Sequence, residues 1–222
     1  MNVIWAIIRK DFQMEFRTKE SITAMWIFSL LIFVIFNFTF EISRLLLLQI
    51  SGGLLWVAFI FSGMLGLNRS FQVERENGNL RGLSLTPADP GLIYFGKFLS
   101  TTFFMLIFEA LIFPLFIIFY DIQLSLVTLW IIPISILGTL GFTSLGTILS
   151  AVAIHTKQQQ ILLSLLLWPL ITPIIIWAVK TTGDVLAGEL SAAFQPVMVR
   201  MLVFDVIFTT ISYLLFEYVV QE

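Results

Sequence analysis

The longest stretch without a charged side chain, residues 122–154, covers 33 positions. As one helix rising ~1.5 Å per residue it would measure ~50 Å, against a bilayer hydrocarbon core of ~30 Å. Residues 22–40, 45–68 and 161–179 are also free of charge, and residues 98–120 contain only Glu109. A water-soluble core cannot hide that many apolar segments. Hydrophobic residues make up 59% of the chain and charged residues 12%, where an ordinary globular chain has about 45–50% and about 25%. These proportions describe an all-α, polytopic integral membrane protein.

The charge gaps divide the chain into six spans, expected at about 22–40, 45–68, 98–120, 130–154, 161–179 and 197–220, all within a single transmembrane domain, 1–222. Pro133 decides where the fourth begins, because proline suits a first helical turn and disrupts deeper ones. Residues 122–129 are therefore expected to lie at the interface, before a span that starts near Trp130. The sixth span contains Arg200, Asp205 and Glu217. Pro169 and Pro173 predict a bend in the fifth.

Charge placement gives an independent reading. Nine of the twelve basic residues fall in segments 1–21, 69–97 and 155–160, leaving Arg44, Lys180 and Arg200 for the opposite side. By the positive-inside bias, both termini face the cytoplasm, as an even number of crossings requires. Arg9, Lys10 and Asp11 interrupt the first apolar stretch and no small-residue cleavage site follows, so a cleavable signal is not expected. Instead Ile4, Ile8, Phe12 and Phe16 recur every four residues, with Trp5 and Ile7 beside them. That pattern predicts a basic amphipathic helix over residues 1–20 in the cytoplasmic interface, resting on membrane lipid.

Composition excludes several chemistries. The absence of cysteine removes disulfides, thiolate metal sites and cysteine nucleophiles, and a single histidine, His155, cannot supply a His–His pair within one chain. A net charge of −2 gives no bulk attraction for nucleic acid. Residues 91–97, GLIYFGK, have the spacing of a phosphate-binding loop. Phe98 stands where Ser or Thr would hold magnesium, however, and the segment is entering a membrane helix, so no nucleotide site is encoded.

Two features remain. Glu109 and Asp205 lie at membrane depth, where a charge costs about 2.5–3.5 kcal/mol on insertion scales, so both are expected to face protein or water as intramembrane polar sites. The other is the polar stretch 71–97. Residues 71–77 predict a short charged helix that Gly78 can cap, and Pro87 and Pro90 are expected to stop any helix before the third span. A solvated connector whose charges only fix topology would have the same composition.

Phe71, Glu74, Gly78, Leu80, Leu83 and Pro87 fall in the order F-x-x-E-x-x-x-G-x-L-x-x-L-x-x-x-P, followed by an aromatic residue and Lys97. This pattern, with six spans and a preceding amphipathic helix, resembles the haem exporter protein B family of cytochrome c maturation, membrane subunits of ABC-2 type. Gly82-Leu83-Ser84-Leu85-Thr86-Pro87 stands where that family commonly has a leucine run before Ser-Pro. The resemblance implies a bacterial inner-membrane permease that hydrolyses nothing itself and binds a separate cytoplasmic ABC ATPase. It also implies a second permease copy or related membrane subunit, together with a haem-handling membrane protein and a haem chaperone. Residues 71–85 would then be a coupling helix, with Glu74, Arg75 and Arg81 as polar contacts and Phe71 and Leu80 as apolar anchors. Haem would be cargo rather than a cofactor of this chain. A different cargo or a non-transporting scaffold are the alternatives. A membrane-embedded enzyme is disfavoured, since His155, Glu109 and Asp205 fall on separate spans.

Overall fold

The computed structural model describes residues 3–39, 44–76, 89–153, 156 and 158–221. The described residues form seven α-helices and one 3₁₀ turn. A short α1 (Val3–Thr18) precedes six long helices: α2 (Glu20–Thr39), α3 (Arg44–Glu76), α4 (Pro90–Tyr120), α5 (Ile131–Ala153), α6 (Gln159–Leu186) and α7 (Phe194–Gln221). All six are long and apolar enough to cross a membrane. Large apolar side chains such as Phe38, Ile118, Leu165 and Val206 point outward, so the bundle is apolar on both its inner and outer surfaces, as a multi-pass membrane protein requires.

The boundaries show what sequence alone places less well. The second span and the charged segment after it are one continuous helix, because Arg69, Glu74 and Arg75 mark the edge of the apolar run without breaking the backbone. Pro90 does not hold the third span back to residue 98. It opens α4 at its first turn, where a missing N–H costs nothing, while the Asp89 side chain accepts from the Gly91 N–H at 2.7 Å. The 3₁₀ turn Leu126–Trp130 precedes α5, whose first turn holds Pro133, as expected. α6 runs through Pro169 and Pro173 to Leu186, beyond the expected limit at residue 179.

The helices α3 and α5 form the centre. Of the apolar window in α3, 72% is buried inside the chain, against 28% for α2, α6 and α7. α5 packs on α3, α4, α6 and α7, and glycines set these approaches. A Cβ on Gly146 would strike Leu67 of α3, and one on Gly138 would strike the Trp56 ring. That ring is fixed from the other side, since Trp56 Nε1 donates to Thr182 Oγ1 of α6 at 2.9 Å. Thr182→Val keeps the shape and leaves a buried N–H unpaired. We expect a loss of about 1–3 kcal/mol, read as a lower midpoint of thermal unfolding in detergent.

One end of the bundle gathers three parts of the chain. Near the start of α4, Gly96 lies against Ile7 of α1 and Gly91 against Tyr213 near the end of α7. The same end carries the roots of the 77–88 segment, the end of α3 and the start of α4. The turn from α1 into α2 is tied down too. Lys19 adopts a left-handed backbone (φ 56°), and the Glu15 carboxylate accepts from Ser21 Oγ at 2.9 Å and from the Ile22 N–H at 3.2 Å. Arg69 near the end of α3 pairs with Glu20 at the start of α2.

Candidate functional site

The first candidate lies at this end. Lys97 is only 2% exposed, and its Nζ donates to both carboxylate oxygens of Asp11 at 2.9 Å. The Phe71 ring centroid lies 5.7 Å from the same ammonium. α1, α3 and α4 therefore meet at one buried charge. Such a charge is tolerated inside a protein only when an opposite charge and hydrogen bonds replace its water. Gly96 lets α1 approach closely enough to supply Asp11, because a Cβ there would meet Ile7 at 2.9 Å.

This arrangement changes the part that Phe71 can play. Phe71 is 1% exposed and already packed within the chain, so it secures the root of the loop instead of offering an anchor to another protein. Glu74 and Arg75 lie in the last turns of α3, and their side chains fall outside the described residues. Gly78, Leu80, Arg81, Leu83 and Pro87 also lie outside the described residues. The amphipathic stripe of α1 divides: Ile7 faces α4, whereas Trp5 and Phe16 are exposed at 60% and 57%. Asp11 entered the sequence reading only as a charge interrupting the first apolar stretch, not as a site residue. Its one signal was an acidic residue one turn after Ile7, on the side of α1 that turns inward.

The second candidate is the polar interior around α5. Thr139, Thr143, Ser144, Thr147 and Ser150 are all buried. Thr143 and Thr102 of α4 share a hydrogen bond at 2.7 Å, Tyr94 of α4 and Ser144 share one at 3.1 Å, and Thr209 of α7 donates to Ser144 at 3.2 Å. These bonds join three helices where neither lipid nor an apolar neighbour could satisfy the hydroxyls.

The two membrane-depth acids flank this row without meeting. Glu109 Oε1 accepts from Thr139 Oγ1 at 2.6 Å, while Asp205 lies beside Gly141, where a Cβ would come within 2.7 Å of its Oδ1. Positions 139 and 141 are about 200° apart around a helix, so the carboxyl groups occupy different flanks of α5. Both are buried, and neither Asp205 oxygen has a hydrogen-bond partner among the described residues. Nothing in this arrangement resembles an acid and base converging on one reacting atom.

The family model described as CcmB protein matches residues 2–217. Heme exporter protein B of Pseudomonas aeruginosa is 25% identical over 194 residues, covering 87% of this chain and 83% of that protein. Heme exporter protein B of Haemophilus influenzae is 26% identical over 174 residues, covering 78% and 77%. The Escherichia coli protein of the same name is 31% identical over 86 residues, 38% of this chain and 39% of its own. A match that runs from the first turn of α1 almost to the end of α7 takes in all six long helices and both candidate regions, and the chain belongs to the CcmB protein family.

Proposed function

We propose that this chain is the non-catalytic membrane subunit of an ABC-2 type transporter for haem export in a bacterial inner membrane. Its 77–88 segment transmits movement from a separate ATPase. Family membership supports the pathway, and the relatives that match most of the chain carry the name heme exporter protein B. The carrying observation for the coupling role is the buried junction of Lys97, Asp11 and Phe71. A push delivered to a loop moves membrane helices only if both roots of the loop are rigidly held. Here one root carries Phe71 and the other Lys97, whose ammonium lies against the Phe71 ring and binds Asp11 of α1.

In this reading the loop and both termini face the cytoplasm, in keeping with the nine basic residues on that side. The ATPase groove would receive Glu74, Arg75, Leu80 and Arg81, the contacts that the family resemblance implies. A second permease copy or a related subunit completes the membrane part, and haem reaches a chaperone through this complex. With one histidine and no cysteine, a single chain supplies no His–His or His–Cys pair for haem iron. The complex would use ATP hydrolysis either to export haem or to release the haem-loaded chaperone.

Affinity purification of the tagged chain from mild detergent tests this. Wild type should recover an ATPase subunit with ATP-hydrolysing activity, and Gly78→Pro should lose most of it while remaining monodisperse. Glu74→Ala should weaken recovery to a lesser degree. An intact wild-type preparation that brings down no ATPase would sink the proposal and leave the scaffold reading.

A further inference from the structure

Between α4, the 3₁₀ turn and α5 the bundle leaves a cavity of about 510 Å³. Its apolar walls include Leu106 and Phe113 of α4 and Ile131 of α5, and Glu109 lines it as well. Its rim carries Ala110, Leu129 and Ile132, all exposed on the outer surface of the bundle. The cavity thus opens sideways, where membrane-dissolved molecules reach it. Its size falls within the range of about 300–1,000 Å³ typical of small-molecule sites and exceeds what one inserted side chain would fill.

The polar chemistry at the cavity is one-sided. Glu109 is 96% buried, as its 4% exposure shows, and only Oε1 is engaged, by Thr139. Oε2 has no hydrogen-bond partner among the described residues. The other polar groups of the lining are hydroxyls. Those of Ser125 and Thr128 are committed to each other at 3.3 Å, and Thr128 also accepts from the Ser125 N–H at 3.0 Å. Among the described residues, no lysine, arginine or histidine lines the cavity. A carboxylate- or phosphate-bearing ligand would meet an acid with no cation to offset it. The unpaired oxygen is itself enclosed, and a turn of the Glu109 side chain into the cavity would let a hydrogen-bond donor, above all a cationic one, satisfy it.

We infer that this lateral cavity binds a membrane-soluble alkylamine-type amphiphile, its ammonium on Glu109 and its hydrocarbon body against the walls of α4 and α5. The site follows from the fold and does not depend on the export reading. An amine held this way replaces its lost hydration with a charge-assisted bond, and its chain trades one apolar surrounding for another.

The test uses the complex as purified and, beside it, the isolated chain, both in phospholipid nanodiscs, with radiolabelled dodecylamine as the probe. Saturable binding at one site per chain is expected. Dodecanoate should compete at least tenfold more weakly than unlabelled dodecylamine, and Glu109→Gln should weaken binding at least tenfold. Ala110→Trp, which fills the rim and leaves Glu109 in place, should abolish binding and guards against misfolding of the first variant. Uptake no greater than in protein-free nanodiscs overturns the site, as does equal binding by Glu109→Gln and wild type. Binding by the isolated chain that vanishes in the complex overturns it too, and assigns the cavity to a neighbouring subunit.

Discussion

Asp11→Ala should destabilise the protein by about 3–5 kcal/mol, because it removes the carboxylate from a buried ammonium. Lys97 is 2% exposed and Asp11 11%, so little water is at hand to take the place of the lost partner. The change should also loosen α1, which otherwise rests on α4 through contacts such as the apolar seat of Ile7 on Gly96. The chain has no native cysteine, so Ile7→Cys gives a unique label site. Maleimide labelling there should be slow with Asp11 present and fast in Asp11→Ala. The double variant Asp11→Leu with Lys97→Met should recover most of the stability, since removing both charges leaves neither one buried alone. Equal midpoints for Asp11→Ala and wild type would show that the junction does not hold the loop roots. If the 77–88 segment couples to an ATPase as proposed, Asp11→Ala should also uncouple ATP hydrolysis from movement in the membrane, because a loop with a loose root dissipates the push.

The six spans were legible because bilayer insertion imposes a length and an absence of charge that any reader can count. Their ends were less legible. Charge stops a hydrophobic run but does not stop a helix, so α3 continues through Arg69 to Glu76. Pro90 reads as a stop when taken alone and as a start once Asp89 is seen to cap it. The site was legible as residue types and not as roles. Lys97 could be picked out from the order of residues around it, but its partner lies 86 residues away on a helix read as resting on lipid. Phe71 could be named as an anchor, yet only the packed chain shows that what it anchors is internal. Glu109 and Asp205 were expected to face protein or water, and both are buried in the chain. Hydropathy says nothing about which of them has a hydroxyl neighbour and which has none.

The second large effect is expected at Gly52, where α3 meets α6 backbone to backbone. A Cβ there would strike the Val179 carbonyl oxygen and come within 2.7 Å of the Gly183 nitrogen. Neither atom can turn aside as a side chain could, so Gly52→Ala must push the two helices apart. Overpacking typically costs about 1–3 kcal/mol, and the upper end applies here because the strain extends one turn along α3 to Trp56. Its hydrogen bond to Thr182 spans the same helix pair at 2.9 Å and would lengthen as the helices separate. Gly53→Ala is the matched control: its Cβ would meet only the Val179 Cγ1 at 3.9 Å, an ordinary contact, and its midpoint should stay close to wild type. Thermal unfolding in detergent, followed by tryptophan emission, should separate the two alanine variants clearly. If they unfold together, the helices are not held at this distance. If Gly52→Ala alone falls, the approach of α3 to α6 is fixed by backbone contact, and any movement driven from the loop must carry both helices as one body.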